Sequence, residues 1–466
     1  MNTLLNALQT RNNRTENGMT TNSSSLNACV DLFFTIGAMR GQDKNRLISN
    51  FSKAFNENAL TALRTMFWVR DVRGGAGERQ IFRDILKYLV ENHTEVLAKN
   101  LVHVSEYGRW DDLLVLFDTK LDAQAKGLLA DALKSGNGLC AKWMPRKGKE
   151  AIALERFMNL TPKAYRKLLV ENTKVIETAM CSNEWGAITY EHVPSVAMAR
   201  YAKAFGKHDA DRFTQYKTGD TKINTGAVYP YDVVKTLKHG DNTLANKQWA
   251  SLPDFLENSN ERMLPVCDVS GSMECPAGSN ATVTCMDVCV SLGLYISERN
   301  QGKFKNAFIT FSEHPELQYL NGNLTDRYNQ LSRSQWGMST NLESVFNLVL
   351  TQAKANRVPE SEMPTMILIM SDMEFNQACR GANTTALDMI KERYETAGYT
   401  MPKIVFWNIQ SRNAGNFPVQ ITDSGTALVS GFSPAILKSL LTGEDMTPVS
   451  IMNKTVHSAR YEPITV

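Results

Sequence analysis

The hydrophobic period of the chain changes once, at a polar break from Ser251 to Arg262 that contains Pro253 and the run Asn258-Ser259-Asn260. Before the break, from Leu26 to about Trp249, apolar residues recur at helical spacing in segments broken by Gly, Pro and Asn. Such segments run from Ala59 to Val69, Gln80 to Glu91, Trp110 to Phe117, Leu121 to Ser135, Pro162 to Asn172 and Val193 to Ala204. Almost nothing there alternates as a strand would, so this part reads as all-α, with irregular helix-pair repeats of the HEAT type. After the break, short apolar runs (Leu264 to Val269, Asn306 to Phe311, Thr365 to Met370, Lys403 to Asn408, Ala427 to Ser430) alternate with helical ones (Thr282 to Arg299, Asn341 to Ala355, Thr384 to Thr396, Pro434 to Leu441). That alternation predicts a doubly wound parallel sheet covered on both faces, with ligands at the carboxyl ends of its strands near a topological switch point. The fold class is therefore multidomain, α followed by α/β.

With 466 residues, 43% of them hydrophobic and 21% charged, the chain has apolar material for more than one core. The expected plan is a flexible N-terminal segment over 1–27, a helical repeat domain over 28–255, an α/β domain over 256–445 and a C-terminal extension over 446–466. Met1 to Asn27 is rich in Asn, Thr and Ser without the apolar stretch of a signal peptide, and no run is long and apolar enough to span a bilayer. This predicts a soluble cytoplasmic protein without a membrane partner. The eight cysteines (Cys29, Cys140, Cys181, Cys267, Cys275, Cys285, Cys289, Cys379) show no paired CxxC spacing, so reduced thiols are expected, with Cys285 and Cys289 on one apolar helix face. The net charge of +3 hides an asymmetry: residues 1–255 hold 35 Lys and Arg against 27 Asp and Glu, a net +8, and the remainder holds 16 against 21, a net −5. A basic half suits nucleic acid, and would equally help two halves dock on each other.

At the end of the first expected strand stands Asp268-Val269-Ser270-Gly271-Ser272-Met273, whose alternate side chains leave the strand tip as hard oxygen donors. Thr340, after Trp336-Gly337-Met338-Ser339, offers another hydroxyl, and Asp372, following the apolar run Met366 to Met370, a second carboxylate. Hydroxyls with few carboxylates suit Mg²⁺, or Mn²⁺, which keeps part of its water shell. Glu374 reads as an exposed loop glutamate outside this set. The pattern resembles the metal-ion-dependent adhesion site (MIDAS) of von Willebrand factor A and integrin I domains. In that family the serines and threonine coordinate directly or nearly so, the aspartates act partly through water, and a partner's carboxylate fills the open position. The resemblance implies these roles for Asp268, Ser270, Ser272, Thr340 and Asp372. No general base or nucleophile pair accompanies the motif, His314 lying outside it, so an enzyme is not expected.

The first half carries four further blocks: Arg70-Asp71-Val72-Arg73-Gly74-Gly75-Ala76-Gly77-Glu78-Arg79, Tyr107-Gly108-Arg109-Trp110-Asp111-Asp112-Leu113, Lys142-Trp143-Met144-Pro145-Arg146 and Tyr165-Arg166-Lys167-Leu168-Leu169. In content and order they resemble the TROVE module of Ro-type ribonucleoproteins. With the A-type domain behind them, the likeness covers roughly residues 30 to 445 and is closest to the two-domain branch of the TROVE-related family. In Ro the helical repeats form a ring that holds small noncoding RNA outside and single-stranded RNA ends in a basic hole, and the resemblance implies RNA as partner. Arg70, Arg73 and Arg79 around the Gly-rich turn, and Lys142, Arg146 and Lys147 beside Trp143, are the candidate contacts, since cations interleaved with aromatics suit single strands. Two structural readings stand beside these. Arg70, Asp71 and Glu78 can form an ion-pair network with the glycines as helix terminator and turn, and Trp110 can pack in the core while Asp111 or Asp112 caps the next helix. Gly74 to Gly77 lacks the following Gly-Lys-Ser/Thr of a phosphate loop. The expected function is RNA binding with a Mg²⁺-dependent docking site, the alternative a metal-dependent protein–protein adaptor without RNA.

Overall fold

The computed structural model describes residues 13–173, 175–220, 223–277, 283–311, 315–331, 340–377, 384–413, 415–441 and 445–466. A largely helical first part is followed by an α/β part, and two compact units can be separated by their internal contacts. An α/β unit comprises residues up to 62 together with 228–458, and a helical unit comprises 63–227 together with 459–466. The packing thus does not follow the linear division expected at 255/256.

The α/β unit is built on a sheet of six strands: β3 (Met263–Asp268), β4 (Ala307–Phe311), β5 (Glu316–Tyr319), β6 (Met366–Ser371), β7 (Lys403–Asn408) and β8 (Thr426–Ser430), in the order β5-β4-β3-β6-β7-β8. All neighbours are parallel except β4 and β5. Every residue of β3 and of β6 is buried, which is why these segments read as continuous apolar runs. The edge strand β5 escapes that signal, because of its four residues only Gln318 turns inward. The helix Cys285–Arg299, opened by a reciprocal cap between Thr284 and Asp287, lies close on β3. Gly293 permits that approach: a Cβ there would stand 2.3 Å from the Cys267 sulfur.

Residues from the first part complete this unit. The segment expected to be flexible pairs Asn13–Arg14 (β1) antiparallel with Thr20–Thr21 (β2), and residues 1–12 lie outside the described residues. The helix Ala28–Ile36 buries seven of its nine residues, too many for a one-sided repeat helix. It packs on β8, where the Ser430 hydroxyl donates to the Phe33 carbonyl at 2.7 Å.

In the helical unit, segments such as Arg79–Asn92, Asp122–Lys134 and Pro162–Asn172 fall where their periodicity placed them. The Gly-rich block is a tight turn: Gly75 N–H donates to the Asp71 carbonyl at 3.1 Å and Ala76 N–H to that of Trp68 at 3.2 Å. A Cβ on Gly75 would lie 1.7 Å from the Trp68 carbonyl oxygen, so no other residue fits. The expected extension closes this unit. Tyr461 and Ile464 are buried, the Tyr461 hydroxyl donates to Asp71 at 3.0 Å, and Asn100 exchanges two hydrogen bonds with Thr465 at 2.6 and 3.0 Å. Among the described residues no helix is long and apolar enough to cross a membrane.

Candidate functional site

The chain runs from β3 outward through β4 to β5, then returns to the other side of β3 for β6, β7 and β8. The switch point therefore lies between β3 and β6, where neighbouring strand ends diverge and leave a crevice. Asp268 ends β3, and Asp372 follows the last residue of β6. Both are buried. One Asp268 oxygen accepts the Ser371 hydroxyl at 2.5 Å and the other the Ser270 N–H at 2.9 Å. The Ser270 and Ser272 hydroxyls are 3.0 Å apart, and Ser272 also bonds the Asp372 carboxylate.

Burial, and then the charge of Asp372, push the Asp268 carboxyl up to about 7. Asp372 is raised as well, first by burial, against the opposing pull of Ser272 and Arg412. Two buried carboxylates that resist ionising together mark a place that a cation would stabilise.

Thr340 is buried just before the helix Leu342–Ala355, and its carbonyl accepts the Asn376 N–H at 2.9 Å, which ties it to the segment after Asp372. The preceding Trp336-Gly337-Met338-Ser339, and likewise His314 and Cys379, lie outside the described residues. Hydroxyls and two carboxylates are donor types that would suit a hard divalent ion. Among the described residues no three His, Cys, Asp or Glu side chains form a metal-holding cluster.

Two neighbours were missed by the sequence reading. Arg412, in the loop after β7, donates to Asp372 at 2.8 Å and lies 3.4 Å from the Glu16 carboxylate. Its backbone is held by Arg46, which donates to the Ser411 and Arg412 carbonyls. Glu374, expected to be an exposed loop residue, is 1% exposed. Its carboxylate accepts the Glu16 N–H at 2.6 Å and the Asn413 and Asn416 side chains at 3.0 and 2.5 Å, so it is committed to anchoring the N-terminal hairpin. Nothing in the local sequence marks either role, because the partners lie hundreds of positions away or in another loop.

In the helical unit the candidate contacts separate into two groups. Arg70 is only 5% exposed and bonds Asp112 at 2.8 Å, so its charge is satisfied inside the fold and it is withdrawn from the expected RNA surface. Arg83 bridges Asp112 and Asp111 at 2.6 and 2.8 Å, and Arg109 closes on Asp111 at 2.6 Å. Asp112 also accepts the Arg109 N–H at 2.9 Å, the capping role foreseen for it, whereas Trp110 is half-buried rather than a core residue.

The second group faces outward. Arg73, Arg79, Arg146 and Lys147 are exposed, and Lys142 is half-buried, 3.6 Å from Glu177. The Arg109 guanidinium stacks on Trp143 at 3.6 Å, with the Lys142 ammonium 5.6 Å from the same ring. Partial burial, and then the positive charges of Arg109 and Arg83, lower the pKa of Arg79. Two clusters more than 60 positions apart in sequence, around Arg79 and around Trp143, are thus joined through Arg109.

Residues 262–462 match the model of the domain of unknown function DUF7788, and residues 15–134 and 130–262 that of the domain of unknown function DUF2828. The two matches meet at Arg262, one residue before β3. The protein named Uncharacterized protein L728 of Acanthamoeba polyphaga mimivirus is 29% identical over 97% of this chain and 88% of its own length. With more than half of its residues matched by that model, the chain belongs to the DUF2828 family.

Proposed function

We propose that this is a non-enzymatic RNA-binding protein with a cation-dependent docking site, its helical unit a TROVE-like, HEAT-type repeat and its α/β unit a von Willebrand factor A-like domain. The observation that carries the RNA reading is the surface around Trp143. This tryptophan is 36% exposed, with Arg109 stacked on the ring and Lys142, Arg146 and Lys147 beside it in sequence. An exposed indole framed by cations can stack a base while the charges meet phosphates, the arrangement that suits single strands. The TROVE resemblance points to single-stranded or small noncoding RNA.

The α/β unit would hold Mg²⁺ or Mn²⁺ through Asp268, Ser270, Ser272, Thr340 and Asp372, leaving a coordination position for a partner protein's carboxylate. Its net-acidic sequence favours a cation over phosphate.

The test is RNA binding by the full chain across a salt series, with single-stranded and structured RNA. Log affinity should fall linearly with log salt, and the combined Lys142→Ala, Arg146→Ala, Lys147→Ala variant should flatten the slope by about 0.7 per lost single-strand phosphate contact. A folded triple variant with the wild-type slope would remove this cluster from the RNA surface. The second reading, an adaptor without RNA, is favoured by the paired buried carboxylates alone, and would be supported by Mg²⁺ binding in a protein that shows no RNA affinity.

A further inference from the structure

Of the cysteine side chains described, Cys275 is the half-buried one with a second thiol in reach: its sulfur is 3.5 Å from that of Cys285. The backbone holds the two opposite each other. Pro276 and Thr284 form an antiparallel bridge, Ala277 N–H donates to the Val283 carbonyl at 2.8 Å, and Cys285 N–H donates to the Cys275 carbonyl at 3.0 Å. A disulfide needs sulfurs at about 2.05 Å, so an approach of roughly 1.5 Å is required, within reach of side-chain rotation. The other thiols differ. Cys29, Cys140, Cys267 and Cys289 are buried, and Cys181 is exposed in the other unit.

We infer that Cys275 and Cys285 are a site of reversible oxidation, closing a disulfide in response to a peroxide. Cys275, reached from solvent, is the attacking sulfur. Its thiolate displaces hydroxide from the peroxide O–O bond, leaving a sulfenic acid, and the hydroxide takes up a proton to become water. The Cys285 sulfur then attacks the Cys275 sulfur, and the S–O bond breaks. Hydroxide leaves and combines with the proton from the Cys285 thiol, giving a second water. The peroxide gains two electrons and the thiol pair loses two. A dithiol reductant reverses the process by exchange. The pair follows the turn Gly271–Glu274 that carries Ser272, but the inference does not depend on a cation binding there.

The experiment treats the reduced full chain with hydrogen peroxide, alkylates the remaining thiols, and digests it after Glu274 and Asp287, which isolates Cys275 and Cys285 from Cys267 and Cys289. The expected product is a fragment lighter by two hydrogens that takes up no alkylating reagent until a dithiol is added. In Cys285→Ser the reaction should stop at a sulfenic acid on Cys275, captured by dimedone, and Cys379→Ser should leave the cross-link intact. Undiminished alkylation of both thiols in the wild type after peroxide, or a cross-link from Cys275 to another cysteine, would overturn the inference.

Discussion

Tyr461 is the residue through which the last eight positions of the sequence should hold the helical unit together. Its ring is 1% exposed, 5.5 Å from Tyr107, and its hydroxyl donates at 3.0 Å to Asp71, itself buried. Asp71 also accepts hydrogen bonds from Arg460 Nε and Nη2 and, at 3.0 Å, from the Arg73 N–H that starts the Gly-rich turn. Tyr461→Phe keeps the ring and removes one donor from a carboxylate that retains three, which should cost about 1.5–2 kcal/mol, the lower range for hydrogen bonds to charged groups. Tyr461→Ala removes the ring as well and leaves a cavity, and by the usual cost of large aromatic truncations should lose about 4–5 kcal/mol. The assay is hydrogen exchange of the full chain, read on peptides from 63–116 and from 263–311. Tyr461→Ala should lower protection in the first set and leave the second unchanged, with Tyr461→Phe between wild type and Ala. If faster exchange in Tyr461→Ala were confined to 459–466, this segment would be a surface strap and the reasoning would be wrong.

Calorimetry on the full chain should show Mg²⁺ binding abolished by Asp268→Ala and weakened less by Thr340→Ala, because a carboxylate attracts the ion more than a hydroxyl does; the reverse order would refute the ranking. A fragment starting at 256 is unsuitable for this measurement, since it lacks the Ala28–Ile36 helix that packs on β8. Arg70→Ala should destabilise the helical unit by about 3 kcal/mol by stranding part of the buried Asp112 charge, while leaving the salt slope of RNA binding unchanged, and a slope reduced in a fully stable variant would return Arg70 to the RNA surface. Burial lifts Asp232 to about 6 from an ordinary value near 3.8, so the folded state holds a proton that the unfolded state has lost. The resulting stabilisation is present in full below about pH 4 and is lost as pH rises through 6, a change of at most about 3 kcal/mol, and denaturation curves of Asp232→Asn between pH 4 and 7 should lack that part of the slope.

The sheet was readable in sequence because its inner strands are buried on both faces, which forces apolar runs such as Met366 to Met370 that resemble nothing on a solvated surface. The strand-tip motif was readable for a related reason: Asp268, Ser270 and Ser272 share one turn, so their convergence is local. Periodicity says that Ala28 to Ile36 is helical but not which partner it packs against, so sequence order alone groups the helix with the repeats that follow it, whereas in the fold it lies on β8. Arg70 shows a similar limit. An arginine beside a Gly-rich turn looks the same in sequence whether it faces phosphate or Asp112, and only the 2.8 Å contact inside the helical unit decides between them.

Arg412 bears most directly on how the cation site would work. Its guanidinium already supplies a positive charge to Asp372, with Glu16 at 3.4 Å on its other side. An incoming divalent ion must either share Asp372 with that group or displace it, and Glu16 offers an alternative partner on the N-terminal hairpin. That hairpin is fixed to the segment after Asp372 by the Glu16 N–H and Asn17 side chain on Glu374 and by the Thr15 hydroxyl on the Phe375 carbonyl. The α/β unit therefore holds, beside its two buried carboxylates, a resident cation and a carboxylate able to receive it. With an effective dielectric near 20, a unit charge about 4 Å away is worth up to about 4 kcal/mol, so removing Arg412 should strengthen Mg²⁺ binding by tenfold or more after solvent screening. Arg412→Gln measured against Glu16→Gln decides the matter. If Arg412 competes with the ion, its loss tightens binding and the loss of Glu16, which leaves the guanidinium only Asp372, weakens it; if Arg412→Gln weakens binding instead, the arginine orients Asp372 and the competition argument fails.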